Sequence, residues 1–317
     1  MATAGPLPMA DKDQPAPARL LRLPLGLADF SRRGFRIDRP ADRRILETHA
    51  RSFLTGFNLA AQHWRDPHPA LQTIPAPERG FAYEGAGMYA GIRAILARGD
   101  GAAFRRLCSG VGDDYIHLIH VGYGWAGAAL PNPTRTVPST PLLRWLALDG
   151  TGFARVYFGG SRMVRSLWSR PPRDHTSAMM AGAGRALWFV ESASPDDVAA
   201  IIEQAPGHAR SELWAGIGLA SCYAGCADAG VLDAMVHASG ADSPAFGQGA
   251  LFAIAARARS GTVPRHTEQA CQNLFGIDPD QARDWTDVAA NGLTELASVG
   301  AYAEWKSRLR RTIAARL

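Results

Sequence analysis

Four helix-length apolar segments of this 317-residue chain each carry a Gly-x-Gly pair: Gly85/Gly87, Gly122/Gly124, Gly216/Gly218 and Gly247/Gly249. A glycine inside a helix costs about 1 kcal/mol relative to alanine. Eight such positions are tolerable only where a missing side chain lets another backbone, or a ligand, come close. The pairs fall as two couples, 37 and 31 residues apart within each couple, a spacing that hints at a duplicated helical unit.

The flanking punctuation is helical. Arg39-Pro40 leads into a long amphipathic run ending before Pro67, and Ser194-Pro195-Asp196-Asp197 reads as a capped helix start. Ser243-Pro244 and Asp278-Pro279 open helices in the same way, and Gly292 suits a helix end. One stretch departs from the rule. Residues 142–160 hold two short apolar runs either side of Asp149-Gly150, a turn-favouring pair, and predict a β-hairpin. Hydrophobic and charged contents of 47% and 20% are those of an ordinary globular protein. The expectation is a mainly α, single helical domain over residues 28–317, built from paired helical units with a small β-hairpin insert. An Ala/Pro-rich tail over residues 1–27 is expected to be disordered. No apolar run reaches the roughly 18 residues of a membrane span, the N-terminus lacks a signal layout, and four scattered cysteines make no disulfide framework. These features predict a cytoplasmic protein.

Several familiar chemistries are unsupported. Gly122, Gly124 and Gly127 satisfy the spacing of a dinucleotide fingerprint, with Asp149 where a ribose ligand would lie, but Pro131, Pro133, Pro138 and Pro141 forbid the helix that must follow. Asp114, His117 and His120 form a stripe at spacing three, and His266 and Glu268 a second couple, without a metalloenzyme signature. Cys222 and Cys226 lack zinc or redox spacing, and Cys271 near His266 reads as a buried core thiol. No tightly bound cofactor or metal is expected, and no basic-aromatic stripe marks a nucleic-acid partner. Residues 304–317 form a basic amphipathic helix. Leu309, Ile313 and Leu317 recur every four positions among Lys306, Arg308, Arg310 and Arg311. That helix either docks by its apolar stripe or offers a face for peripheral membrane or pathway-protein contact.

The residues that do invite a functional reading are polar ones embedded in apolar glycine segments: Glu84, His120, Glu212, Tyr223 and Gln248. A buried polar group must find a partner or act on a ligand, since leaving it unpaired costs roughly 1–3 kcal/mol. Trp125, Trp188 and Trp214, with Gly216 and Gly218 leaving room, are candidate walls of a substrate cavity. On a helix, residues 212, 216, 219 and 223 share one face, which predicts that Glu212, Gly216, Tyr223 and Gln248 look into one interior space. Two functions fit. One is a cofactor-independent enzyme that isomerises or cyclises an unsaturated hydrophobic intermediate, with Glu84 or Glu212 as a buried acid and His120 or Tyr223 returning the proton. The other is a non-catalytic helical scaffold or carrier that shelters such an intermediate.

The segments over residues 184–226, 246–261 and 266–271, together with His120–Ala126 and Leu148–Phe153, resemble a bacterial family often labelled enediyne biosynthesis proteins of the UnbL type. The resemblance runs from about Phe57 to Cys271, and Glu212 stands where that family usually has aspartate. It implies a role in secondary-metabolite biosynthesis, acting on an unsaturated, largely hydrocarbon intermediate. It implies no particular catalytic residue.

Overall fold

A computed structural model describes residues 21–96, 101–129, 141–171 and 173–315. Seven main helices follow one another along the chain: α1 (Pro40–Gln62), α2 (Ala76–Leu96), α3 (Ile116–Ala126), α4 (Leu146–Gly159), α5 (Asp174–Val190), α6 (Gly207–Ala224) and α7 (Ser243–Arg259). Shorter helices link them, and α8 (Arg265–Phe275), α9 (Pro279–Ala290) and α10 (Val299–Ala314) complete the fold. The architecture is all-α, as the sequence predicts, and no strand occurs among the described residues.

Each main helix packs against the one before and the one after, and the glycines say how. A Cβ on Gly85 would run into the carbonyl of Phe53 on α1, and one on Gly87 into that of Ile119 on α3. Gly122 meets Glu84 on α2 and Gly124 meets Ala147 on α4. The same holds for Gly150 and Gly152, Gly182 and Gly184, and Gly216 and Gly218: the first glycine abuts the preceding helix and the second the following one. Two residues advance about 200° around a helix, so a Gly-x-Gly pair opens opposite flanks at one level. It therefore marks a helix with a close neighbour on either side. Backbone-to-backbone contact of this kind adds Cα–H···O=C attraction to ordinary packing.

The contacts also fix direction. Gly56 on α1 meets Ala82, while Gly85 on α2 meets Phe53. Three residues forward on one helix match three residues back on the other, so the pair is antiparallel, and the later pairs repeat the relation. In α7 the register slips by two. Gly249 abuts Ala215 on α6, whereas Gly247 faces Ile313 and Phe275.

The array rolls up, bringing together helices that are not neighbours in the chain. His49 on α1 meets the Ala224 carbonyl at the end of α6. Arg257 on α7 donates to Pro77 O on α2 at 2.6 Å and to Tyr223 O on α6 at 2.7 Å. The expected hairpin is a correction. Residues 143–159 are helical, and Asp149-Gly150 sits inside α4, because Gly150 and Gly152 serve helix packing. The fingerprint-like segment around Gly122 is likewise helix α3. Of the expected tail, residues 1–20 lie outside the described residues. Leu23 exchanges two hydrogen bonds with Asn58 on α1, and Leu25–Ala28 forms a 3-10 turn.

Candidate functional site

The register of the glycines dictates which side chains face the interior. The residue three places after the glycine that meets the preceding helix is Met88, Trp125, Phe153, Arg185, Leu219 and, with the slipped register, Phe252. All six line interior cavities. Five are apolar, and Arg185 is the exception.

The principal cavity, about 140 Å³, is walled by α1 to α6. Phe53, Phe81, Trp125, Phe153 and Tyr157 make it aromatic, and Glu84, Arg185, His49 and Tyr223 are its polar members. Half-buried Leu23 and Leu27, with Phe158 at 51% exposure, form its rim. Glu84, on α2, accepts a hydrogen bond from Trp125 Nε1 at 3.0 Å. Its Oε1 lies 3.8 Å from Nη2 of Arg185, whose guanidinium approaches Asp149 Oδ1 to 2.6 Å and lies over the Phe153 ring. Nη2 is thereby ion-paired with Asp149, and Arg185 Nε has no hydrogen-bond partner among the described residues.

Two buried carboxyls and one guanidinium make the electrostatics decisive. Burial raises both acids above the usual carboxylate range, against the pull of Arg185. Burial opposes the charge on Arg185, but Asp149 and then Glu84 hold its pKa above the ordinary value. One guanidinium balances one carboxylate. Asp149, at 2.6 Å against 3.8 Å for Glu84, is the nearer partner of that guanidinium. Glu84 is thus a buried carboxyl with a raised pKa, facing an apolar cavity.

The remaining sequence-predicted residues distribute over separate places. Tyr223 walls the cavity, edge-on to Phe81 and beneath the Arg257 guanidinium at 3.8 Å, and burial pushes its phenol up to about 12. Glu212 and Gln248 meet elsewhere, around α10. Lys306 Nζ lies 2.7 Å from Glu212 Oε2, and Arg310 donates to Glu212 Oε1 at 3.0 Å and to Gln248 Oε1 at 2.9 Å. Burial raises the Glu212 pKa, but Lys306 and Arg310 outweigh it and hold the carboxyl below the usual range. Gly216 faces Ala181 on α5, so Glu212, Gly216, Tyr223 and Gln248 do not share one chamber. His120 lies edge-on to Phe104, with Nδ1 donating to Ile116 O at 2.7 Å and Nε2 without a partner among the described residues. Burial lowers its pKa to about 4, so it is neutral. Trp125 is a cavity wall. Trp188 bonds Gly225 O, Trp214 packs edge-on against Phe246, and Gly218 meets the Phe246 carbonyl, all as packing.

Sequence reasoning missed Asp149 and Arg185. Their signal was present, because Gly150/Gly152 and Gly182/Gly184 are two further Gly-x-Gly pairs that place both residues on the inner face. No group of three His, Cys, Asp or Glu able to hold a metal comes together among the described residues. Burial pushes the Cys271 thiol up to about 12, far from a reactive thiolate. No helix of the described residues is long and apolar enough to cross a membrane.

Fold and site together define an all-helical protein with a buried acid–guanidinium cluster beside an aromatic cavity. The chain belongs to the family described as protein of unknown function DUF1702, which it matches over residues 16–313. No curated protein and no solved structure gives a significant match to the chain.

Proposed function

We propose that the protein is a cofactor-independent isomerase or cyclase acting on an unsaturated hydrophobic molecule in the central cavity, with Glu84 as the general acid. The observation that carries this reading is the buried Glu84 carboxyl, its pKa raised by burial, in an aromatic, largely apolar cavity with Arg185 and Trp125 beside it; in this reading the carboxyl is neutral. Protonation of a carbon–carbon double bond converts Glu84 to a carboxylate. The Trp125 N–H and the Arg185 charge stabilise that anion as it forms, without reorganisation. The cationic carbon skeleton faces the rings of Phe53, Trp125 and Phe153, whose π faces favour positive charge. The Glu84 carboxylate then takes a proton from an adjacent carbon. The double bond shifts, and the acid is restored with atoms and charge balanced. His120 has no place in this scheme, being absent from the cavity walls.

The UnbL-type resemblance, within the family match, supports a setting in secondary-metabolite biosynthesis with an enediyne-type, polyene-like intermediate as substrate. The scaffold or carrier reading draws on the same cavity, whose scarcity of polar lining suits storage as well as chemistry.

Incubation with a short conjugated polyene alcohol in deuterated water separates the two. The expected result is solvent deuterium in recovered ligand with the wild-type protein and none with Glu84→Gln, while both bind. Binding without deuterium exchange by the wild type would favour the carrier, and absence of binding would reject both.

A further inference from the structure

Beyond Leu118, Leu219, Tyr223 and Arg185 lies a second apolar space of about 70 Å³, and those four side chains also wall the principal cavity. Val121, Ala253, Ala256 and Trp305 close it. Its rim is formed by exposed Asp287 with half-buried His117 and Phe252, whereas the principal cavity has its own rim at Leu23, Leu27 and Phe158. The inner-face residues of the array pass from one space to the other in chain order. Met88, Trp125 and Phe153 line only the first, Arg185 and Leu219 line both, and Phe252 lines only the second. Both spaces thus belong to the interior that a single winding of helices encloses.

We infer that the two spaces are halves of one ligand tunnel, with its waist at Leu118, Leu219, Tyr223 and Arg185, and that the tunnel takes a linear apolar chain. This rests on reading the central cavity as a ligand site. Volume argues for the linear shape. The principal cavity is close in size to one that holds a single benzene ring, about 150 Å³, so a larger compact ligand does not fit, while a chain one methylene wide extends into the second space. The waist also supplies a recognition element. Arg185 is 6% exposed, with Nη2 ion-paired to Asp149 and an Nε donor that has no hydrogen-bond partner among the described residues, at the point where the middle of a threaded chain would pass. A carbonyl or hydroxyl along the chain would satisfy that Nε donor.

The test is the affinity of straight-chain alcohols, hexanol to tetradecanol, for the full-length protein by calorimetry. Each added methylene should tighten binding about fourfold, equivalent to about 0.8 kcal/mol, and the trend should continue past the length that fills the first cavity. Ala253→Leu fills only the second space. It should stop the trend at a shorter chain while leaving hexanol affinity unchanged, which also shows that the variant is folded; Ala256→Val is the milder substitution if it is not. Leu118→Ala, which widens the waist, should favour the longer alcohols. A wild-type plateau at the same chain length as Ala253→Leu, with short alcohols bound, would overturn the tunnel alone. Failure of every alcohol to bind the wild type would overturn the tunnel together with the central cavity as a ligand site.

Discussion

At the scale of single residues, three buried acids do opposite things because of what stands beside them. Glu84 and Asp149 share one guanidinium and hold a proton more firmly folded than unfolded. The stability this proton contributes is complete below the ordinary carboxylate pKa and is lost as pH rises through the raised folded value. Glu212 faces two cations and is depressed. Its contribution is present above the ordinary value and is lost as pH falls through the lowered one. Melting temperature against pH should therefore show an alkaline-side decline that Glu84→Gln removes, and an acid-side decline that Glu212→Gln removes. Glu84→Gln still accepts from Trp125 and should change stability at neutral pH by no more than about 1 kcal/mol. Glu212→Gln leaves Lys306, whose side chain is 5% exposed, without its counter-ion and should cost roughly 3 kcal/mol. Denaturant titration checks both, and Glu212→Gln with Lys306→Met should recover part of the loss. An unchanged stability for Glu212→Gln would contradict the structural role assigned to it.

At the scale of helices, the Gly-x-Gly pair is the unit of assembly. Alanine at Gly150 would drive a Cβ into the Val121 carbonyl, and the backbone there cannot yield as a flexible side chain can. Gly150→Ala should destabilise by roughly 1–3 kcal/mol. Gly230, in the connecting helix Ala229–Ser239, has only the Asp228 side chain within ordinary contact at 3.5 Å. Gly230→Ala should stabilise by up to about 1 kcal/mol. Equal effects of the two in chemical denaturation would refute the packing code. Much of this was legible in the sequence, since the helical class and the four apolar glycine segments follow from pattern alone. Asp149-Gly150 misled because the pair favours a turn locally, and only contact with the flanking helices reveals why glycine is there. The partners of Glu212 were equally hidden. Lys306 and Arg310 lie more than ninety residues away and read as solvated basic residues on a terminal helix, although α10 buries Leu309 and Ile313 and turns Lys306 inward. Residue 317, the last of the predicted apolar stripe, lies outside the described residues.

At the scale of the whole molecule, seven consecutive antiparallel helices enclose an interior that their own inner faces leave partly empty. Ligand entry should stabilise the folded chain by mass action, so hexanol should raise the melting temperature in a concentration-dependent way, and Ala50→Phe, at the cavity wall, should abolish the shift. The central claim is that this interior keeps the Glu84 carboxyl neutral at physiological pH. Infrared difference spectroscopy at pH 7, wild type minus Glu84→Gln, reads it without a substrate. The account predicts a protonated carboxylic-acid carbonyl band in the wild type that is absent from both Glu84→Gln and Asp149→Asn, because either substitution leaves one carboxylate for one guanidinium. Absence of that band from the wild type, or its persistence in Glu84→Gln, would contradict the account.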